Sequence, residues 1–401
     1  MTVLLEPIRA VRRYLRLTAE ARAEIRRDRL GLPEEDPGAE HALEAAIQWL
    51  CRAQDHSETA DGGVARHYSL LTGWGPSYPE TTGYIIPTML SYARRAEDHR
   101  VRDRARYMLD WLTSIQLPDG GFQGGTVDAR PVVPVTFNTG QILIGLAAGA
   151  TAFGARYREA MRRAGDWLVA TQDPDGCWRK HPTPFAQPGE KVYETHVAWG
   201  LLEAARVEPY RGYAEAALSN VYWAVTHQKV NGWFARCCLT DARQPLTHTI
   251  GYALRGIIEA YRYSRDGRLL TAARRTADGL LSVLAPDGFI PGRLKWDWQG
   301  TVEWACLTGS VQIASCWLLL YGETGHRPYR DAAFTANRFV RRTLRLDGPL
   351  DTRGAVKGSF PVSGDYGAYQ YLNWAAKFFV DAMLLELAVR ETGGRVVHHD
   401  A

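Results

Sequence analysis

An Asp-Gly pair recurs along the whole chain at nearly constant spacing. Its glycine stands at positions 62, 120, 176, 232, 288 and 348, so the intervals are 58, 56, 56, 56 and 60 residues, with Asn231 replacing Asp in the fourth copy. A Gln precedes the pair in four copies and an aromatic residue follows it in four. A fixed period of this length is the signature of a repeat architecture. The chain is therefore expected to contain six copies of one unit of about 56 residues.

Each copy has the same internal order. An amphipathic helix, such as residues 104–115, comes before the turn, and a long loop and a second helix follow it. The second helix is apolar on nearly every side, as in 139–150 and 309–321, which is typical of a buried helix. We therefore predict an all-α fold, an (α/α)6 barrel with six outer and six inner helices and no sheet larger than a short hairpin. Residues 1–39 are predicted to form an Arg-rich helical extension, and residues 40–401 the toroid.

Composition excludes several classes of protein. The net charge is only +4 and the basic residues are scattered, so nucleic acid is not an expected partner. None of the six cysteines forms a CxxC pair, which argues against a zinc site or a disulfide framework. No apolar run is long enough to cross a bilayer, and no signal peptide is recognised. We expect a cytoplasmic protein without a metal or cofactor, and the oligomeric state stays open.

Polar side chains gather where each inner helix begins. Because the topology repeats, these six helix starts must share one face of the ring, where they form the mouth of a cavity suited to an anionic or hydroxyl-rich ligand. The candidate catalytic residues are Glu80, Tyr84, Glu194, His196, His248 and Glu303. The candidate substrate-binding residues are Trp74, Asn138, Gln141, Trp233, Arg293, Trp296, Asp297, Trp298, Gln312, Tyr369, Asn373 and Lys377.

The segment from Arg163 to Trp178 resembles the QW repeat of squalene-hopene-type cyclases. The whole chain resembles the wider toroid superfamily, which includes terpene cyclases, prenyltransferase β-subunits and (α/α)6 polysaccharide lyases and hydrolases. The motif order, with Phe137-Asn-Thr-Gly-Gln141 and Pro245-Leu-Thr-His-Thr249 among its stretches, is also similar to uncharacterised proteins encoded in bacterial exopolysaccharide clusters. This last resemblance implies a pathway rather than a reaction.

Departures from these families favour a glycan substrate. The chain has neither the DxDD motif that protonates squalene nor the DDxxD motif of other terpene synthases, and Asn373 stands where a prenyltransferase needs a zinc-binding His. A lyase or C5-epimerase would need a neutraliser such as Asn138, Arg293 or Lys377, and a base such as His196 or His248. A hydrolase would need two carboxylates, from Glu80, Glu194, Asp297 and Glu303. An isoprenoid-binding enzyme and a non-catalytic glycan-binding protein remain the alternatives.

Overall fold

The computed structural model describes residues 14–393, which contain thirteen α-helices. The helix α1 (Ala19–Arg29) precedes the ring. The six outer helices are α2 (Ala39–Asp55), α4 (His99–Ile115), α6 (Ala155–Thr171), α8 (Tyr213–Val225), α10 (Gly267–Leu281) and α12 (Arg327–Arg341). The six inner helices are α3 (Pro79–Ala96), α5 (Thr136–Phe153), α7 (Thr195–Val207), α9 (Thr247–Ser264), α11 (Leu307–Thr324) and α13 (Asn373–Thr392).

The inner helices form a closed ring. Each packs on the next one along the chain, and α13 packs on both α3 and α2, which joins the last repeat to the first. Each outer helix packs on the inner helix that precedes it. The prediction of an (α/α)6 barrel with six helix pairs is confirmed. We call the end of the ring where the inner helices begin the mouth, and the end where they finish the base.

Glycines allow the inner helices to approach closely. A Cβ atom added to Gly145 would lie 2.1 Å from the carbonyl oxygen of Gly83, and one added to Gly200 would lie 2.4 Å from that of Gly140. No side chain fits at either distance, so these positions require glycine. Close contact between backbones brings the side chains on the inward faces of the helices toward a common axis.

The recurring Asp-Gly and Gln residues hold the outer helices together. In the second copy, the Asp119 carboxylate accepts a hydrogen bond from the Gly121 N–H, and Gly120 has a φ of 100°. The Gln116 amide donates both to the Gly120 carbonyl and to the Ala160 carbonyl on the next outer helix. Equivalent bonds recur from Gln54 and Gln172. The repeated motif is thus structural, and it lies outside the ring axis.

Five short strands lie at the mouth. They are β1 (His67–Ser69), β2 (Gly73–Trp74), β3 (Ala305–Cys306), β4 (Ser359–Phe360) and β5 (Gln370–Leu372). The strands β3 and β4 form a pair, and β1 lies between β2 and β5 in an antiparallel sheet of three. The prediction of no sheet larger than a short hairpin is therefore wrong, because this sheet has three strands and a hairpin has two. Because β5 directly precedes α13 and β1 precedes α3, this sheet ties the last repeat to the first.

The helix α1 is held against the loop of the sixth repeat, residues 342–372, by a buried ion cluster. The Lys357 ammonium lies 2.7 Å from Glu24 and 2.5 Å from Asp28, and all three side chains are buried. Asp28 also accepts a hydrogen bond from the Val362 N–H. The predicted extension, 1–39, and the predicted toroid, 40–401, both include residues outside the described range 14–393. No described helix is both long and apolar enough to span a membrane.

Candidate functional site

The inner helices present two rows of side chains to the ring axis. Side chains one turn apart on a helix lie on the same face. The second residues of the six helices, nearest the mouth, are Glu80, Phe137, His196, His248, Thr308 and Trp374. The sixth residues of five helices, one turn deeper, are Tyr84, Gln141, Tyr252, Gln312 and Phe378.

The Tyr252 ring is the hub of these two rows. Its centroid lies 4.5 Å from that of His196 and 4.4 Å from that of His248. Phe137 and Phe378 contact the same ring at 5.2 and 5.8 Å, and the hydroxyl group of Tyr84 lies 3.4 Å from that of Tyr252. Side chains from five of the six inner helices therefore meet here. We call Tyr84, His196, His248, Tyr252 and Phe378 the central cluster.

Each histidine of the central cluster is held by a glutamine from a neighbouring helix. His196 Nδ1 lies 2.6 Å from the Oε1 atom of Gln141, and His248 Nδ1 lies 2.7 Å from that of Gln312. Because an amide oxygen only accepts hydrogen bonds, Nδ1 carries the proton in both rings and Nε2 carries a lone pair. His196 Nε2 is buried without a protein partner. The two pairs therefore give both histidines the same tautomer, and both rings contact Tyr252.

Burial keeps both histidines neutral. It lowers the pKa of His248 from 6.5 to about 4. The pKa of His196 is driven well below its ordinary value by burial and, secondarily, by the positive charges of Lys377 and Arg255. Each side chain is at most 5% exposed. An imidazole of this kind has an available lone pair across the physiological pH range.

Lys377 lies below the central cluster and is paired with a carboxylate. Its ammonium group is 2.6 Å from Asp381, which also accepts a hydrogen bond from Thr88. The same ammonium lies 4.2 Å from the ring centroid of Phe378 and 5.1 Å from that of Tyr84. Lys377 is thus near the predicted site, but its charge is already balanced by a protein group.

A second group of side chains surrounds Glu80 at the mouth. Tyr78 donates a hydrogen bond to Glu80 at 2.9 Å. The Arg66 guanidinium lies 5.1 Å from the ring of Trp374 and 5.9 Å from that of Tyr78. Burial raises the pKa of Glu80 to about 7, against the opposing effects of Tyr78 and Arg66. Glu80 is therefore close to half-protonated at neutral pH.

Tyr366 connects this mouth group to the central cluster. Its hydroxyl group accepts a hydrogen bond from the Trp374 indole at 2.8 Å, and its ring lies 5.4 Å from that of His248. Tyr366 is only half-buried, whereas the central cluster is almost fully enclosed. The side of the cluster beneath Tyr366 is therefore the side nearest to solvent.

Several buried polar atoms at the mouth have no protein partner. They are the Nδ2 atom of Asn138, Nε2 of Gln141, the hydroxyl groups of Tyr193 and Thr308, and Oε2 of Glu194. Burial raises the pKa of Glu194 to about 8, with Lys191 opposing the shift. Unpaired buried groups of this kind cost about 1–3 kcal/mol each unless something binds them. Their concentration at one end of the ring marks that end as the candidate site.

Of the predicted site residues, the structure brings Glu80, Tyr84, Asn138, Glu194, His196 and His248 to the mouth and axis, with Gln141, Gln312 and Lys377. The two histidines open the adjacent inner helices α7 and α9 and both contact the Tyr252 ring, whereas a cavity that they share stays a prediction. Asn373 is nearby, but its Nδ2 atom donates to the Ala65 carbonyl and to Thr81. These two bonds fasten the first loop to α13, and the Oδ1 atom of Asn373 is buried without a protein partner.

The placement of Glu303 is a correction. Its side chain is exposed and lines a surface groove of about 440 Å³ with Phe289, Phe339 and Phe360. The extended segment before β3 turns outward, because β3 pairs with β4 and not with a strand near the axis. Glu303 therefore lies away from the central cluster.

The predicted substrate-binding residues on the loops make their contacts outside the central cluster, and their role in binding stays a prediction. Trp74 packs on Trp49 and Tyr68, and Trp233 packs edge-on against Trp298, at centroid distances between 5.1 and 5.6 Å. The other predicted loop residues are either exposed or in contact with groups outside the central cluster. Trp296 is 68% exposed, Asp297 lies 3.7 Å from Lys295, Arg293 donates to the Gln244 carbonyl, and Tyr369 packs on the apolar core near β1.

Sequence reasoning missed Arg66, Tyr78, Tyr252 and Phe378. Tyr252 and Phe378 could have been found, because each lies four residues after a mouth residue and so shares its inward face. Arg66 and Tyr78 are near in space to Trp374 only because β1 pairs with β5.

Comparisons with known proteins support the fold. No protein-family model and no curated protein matches this sequence. Solved structures do match, among them an unsaturated glucuronyl hydrolase specific for heparin, with a TM-score of 0.70 and 15% identity over 88% of this chain and 98% of that chain.

An unsaturated glucuronyl hydrolase from Bacillus sp. GL1 has a TM-score of 0.67 and 14% identity, over 89% of this chain and 98% of that chain. A D-mannose isomerase also has a TM-score of 0.67, with 11% identity over 89% and 99%. These TM-scores show a shared (α/α)6 barrel, and at such low identities the likeness extends to the fold alone. Within residues 14–393, no group of three or more His, Cys, Asp or Glu side chains is arranged to hold a metal ion.

Proposed function

We propose that this protein is a carbohydrate-active enzyme that removes a proton from a carbon atom of its sugar substrate. The observation that carries the proposal is the pair of neutral histidines, each fixed by a glutamine oxygen in the tautomer that leaves Nε2 free to accept a proton. The matching solved structures are named for glucuronyl hydrolysis and mannose isomerisation, so sugar chemistry is compatible with this barrel.

The proposed step is the first step of several sugar reactions. Nε2 of His196 or His248 takes the proton from a carbon next to a carbonyl or carboxyl group, and the electron pair moves onto that group to give an enediol or enolate. Return of the proton completes an isomerisation or epimerisation, whereas loss of the neighbouring oxygen substituent completes a lyase reaction. Burial raises the pKa values of Tyr84 and Tyr252 well above 10, so both hydroxyl groups stay protonated and can donate a hydrogen bond to that oxygen.

A hydrolase is less well supported. It needs one protonated carboxyl group and one ionised carboxylate facing the same bond. Glu303 and Asp297 lie away from the axis, and burial raises the pKa values of both Glu80 and Glu194, to about 7 and about 8. The mouth therefore offers only Glu80 and Glu194, and neither is a fully ionised carboxylate at neutral pH.

The enclosure of the central cluster bears on the size of the substrate. Its five side chains are at most 5% exposed, and the nearest half-buried group is Tyr366. A single sugar residue, free or at the end of a chain, is easier to admit here than the interior of a polymer. An isoprenoid would leave the polar atoms of Asn138, Gln141 and Glu194 unpaired, which argues against an apolar ligand.

Isotope exchange tests the proposal directly. The protein is incubated in D2O with a panel of aldoses, ketoses, uronates and uronate oligosaccharides, and proton NMR follows each ring hydrogen. We expect the signal next to the carbonyl or carboxyl group to disappear for at least one sugar, with or without a new isomer or an unsaturated uronate. Release of reducing sugar without exchange would contradict the proposal and identify a hydrolase that uses Glu80 and Glu194.

A further inference from the structure

Arg66 is a half-buried cation at the mouth of the ring, where its charge opposes the rise in the pKa of Glu80 without an ion pair between the two side chains. Arg66 forms no ion pair within residues 14–393, although those residues contain thirty ion pairs. Its single side-chain hydrogen bond joins Nη1 to His67 Nδ1 at 3.1 Å. Burial and the Arg66 charge lower the pKa of His67 to about 4, so His67 stays neutral and its Nδ1 atom accepts the hydrogen bond from Arg66.

Two aromatic rings hold the Arg66 guanidinium in place. Trp374 and Tyr78 lie 5.1 and 5.9 Å from it, and both rings are less than a tenth exposed. Trp374 is in turn fixed by its hydrogen bond to Tyr366. Stacking on aromatic faces leaves the N–H groups at the edge of a guanidinium available for a carboxylate. The side chain is therefore oriented in advance of binding.

Asn138 supplies a second donor beside Tyr78. Its side chain is 1% exposed, and its Nδ2 atom has no acceptor within hydrogen-bond distance. Burial raises the pKa of the Tyr78 hydroxyl group, the nearby Asn138 amide opposes that shift, and Tyr78 bonds to Glu80. A buried amide donor without an acceptor is costly, and an oxygen of a bound ligand would satisfy it.

From this juxtaposition we infer that Arg66 and Asn138 bind the carboxylate of an acidic sugar, so that the substrate is a sugar acid. The inference rests on the proposed sugar chemistry and narrows its substrate class. A carboxylate placed between an arginine and an amide donor is partly neutralised. Neutralisation makes the proton on the neighbouring carbon more acidic, which is the proton that a histidine of the central cluster would remove.

Binding measurements test this inference separately from catalysis. Calorimetry is performed with oligosaccharides of glucuronate, galacturonate and mannuronate, with their carboxyl-reduced neutral counterparts, and with a sulfated neutral oligosaccharide. We expect at least one uronate probe to bind about tenfold or more tightly than its neutral counterpart. Arg66→Gln should abolish that preference while changing the affinity for the neutral probe less than about twofold, and Arg66→Lys should restore part of it.

Arg243→Gln is the matched control, because it removes an equal charge from a side chain that is 91% exposed on another loop. It should leave every affinity unchanged. If Arg66→Gln does not fold, Asn138→Leu provides the second variant and should weaken uronate binding selectively. A uronate preference that survives both substitutions would overturn the inference, as would a preference for the sulfated probe over every uronate.

The outcomes separate the two proposals. Arg66-dependent uronate binding without any isotope exchange would leave the carboxylate site standing and would refute the proposed proton removal. Exchange on a neutral sugar that Arg66→Gln does not affect would support the proposed proton removal and would refute the carboxylate site.

Discussion

The two ends of the barrel differ in whether their buried polar groups have hydrogen-bond partners. At the base, Glu259 accepts hydrogen bonds from Arg255 at 2.7 Å and from Arg262 at 3.2 Å, and Glu323 is paired with Arg265 at 2.8 Å. At the mouth, Asn138, Glu194, His196 and Thr308 each keep a buried polar atom without a partner. Both ends are formed by the same six inner helices, which are copies of one repeating unit.

This difference separates stability from function. A completed network of buried charges contributes to a unique fold only while every member is present. An incomplete set of buried donors and acceptors lowers stability and is retained where something else binds it. Substitutions at the base should therefore lower the free energy of unfolding, whereas substitutions at the mouth should lower activity with less effect on folding.

The largest effect is expected at the base. Glu259→Gln leaves Arg255 without its carboxylate, while Arg262 keeps Glu323 at 3.6 Å, and breaking a buried ion pair from one side costs about 3–5 kcal/mol. Chemical denaturation followed by circular dichroism measures the change. Arg265→Ala is the control, since this arginine is 54% exposed and its loss should cost less than about 1 kcal/mol. Equal losses in the two variants would show that the base network is not cooperative.

The second effect concerns activity at the axis. His196→Ala and His248→Ala should each lower the rate of exchange about a hundredfold or more, as expected for loss of a general base. Gln141→Leu and Gln312→Leu should lower it less, because the histidine remains but its tautomer is no longer held. The rates are measured per folded molecule, with the exposed His99→Ala as control. Melting temperatures should change less than in Glu259→Gln, and the comparison of the two ends fails if they change more.

The third effect is a pH dependence produced by Glu194. Burial raises the pKa of this carboxyl group from 4.5 to about 8, so the folded state binds a proton that the unfolded state has released in that interval. Stability conferred by the neutral carboxyl group is therefore complete below pH 4.5 and is lost as the pH rises through 8.

Glu194→Gln removes this loss. From pH 5 to pH 8, the free energy of unfolding of the wild type should fall by on the order of 2 kcal/mol more than that of the variant. The measurement is a pair of denaturation curves for each protein, one at each pH. A stability difference that is the same at both pH values would indicate that Glu194 is ionised in the folded protein.

The sequence was sufficient to predict the barrel and part of the site. The barrel followed from the Asp-Gly period because the motif is local: the turn, its glycine and the Gln that clamps the next outer helix all lie within one repeat and its neighbour. The residues that open the inner helices were predictable for the same reason. His196 and His248 occupy the same place in successive repeats.

The loop residues were not predictable in this way. Trp298 and Glu303 lie in one long loop, and nothing in their composition indicates that the tryptophan packs under Trp233 while the glutamate turns to solvent. Arg66 reaches the mouth through a strand pairing between the first and last repeats, a contact that spans about the whole length of the chain. Non-local pairing of this kind leaves no periodic signal.

The smallest effect gives the most controlled comparison, because two threonines of the inner helices receive the same substitution. Thr308 and Thr139 are both fully buried near the start of an inner helix. The Thr308 hydroxyl group has no partner. That of Thr139 accepts a hydrogen bond from the Phe122 N–H and donates one to the Val135 carbonyl, both at 2.9 Å.

Threonine and valine have nearly the same shape, so the substitution removes the hydroxyl group and little else. Thr308→Val should be neutral or should stabilise the fold by up to about 1 kcal/mol, because an unpaired buried hydroxyl group is lost. Thr139→Val should cost about 1–3 kcal/mol, because the Phe122 N–H is left without an acceptor. Denaturation of both variants at one pH measures the difference. If Thr308→Val costs as much as Thr139→Val, the hydroxyl group at the mouth is satisfied in the folded protein, and the mouth does not differ from the rest of the barrel at that position.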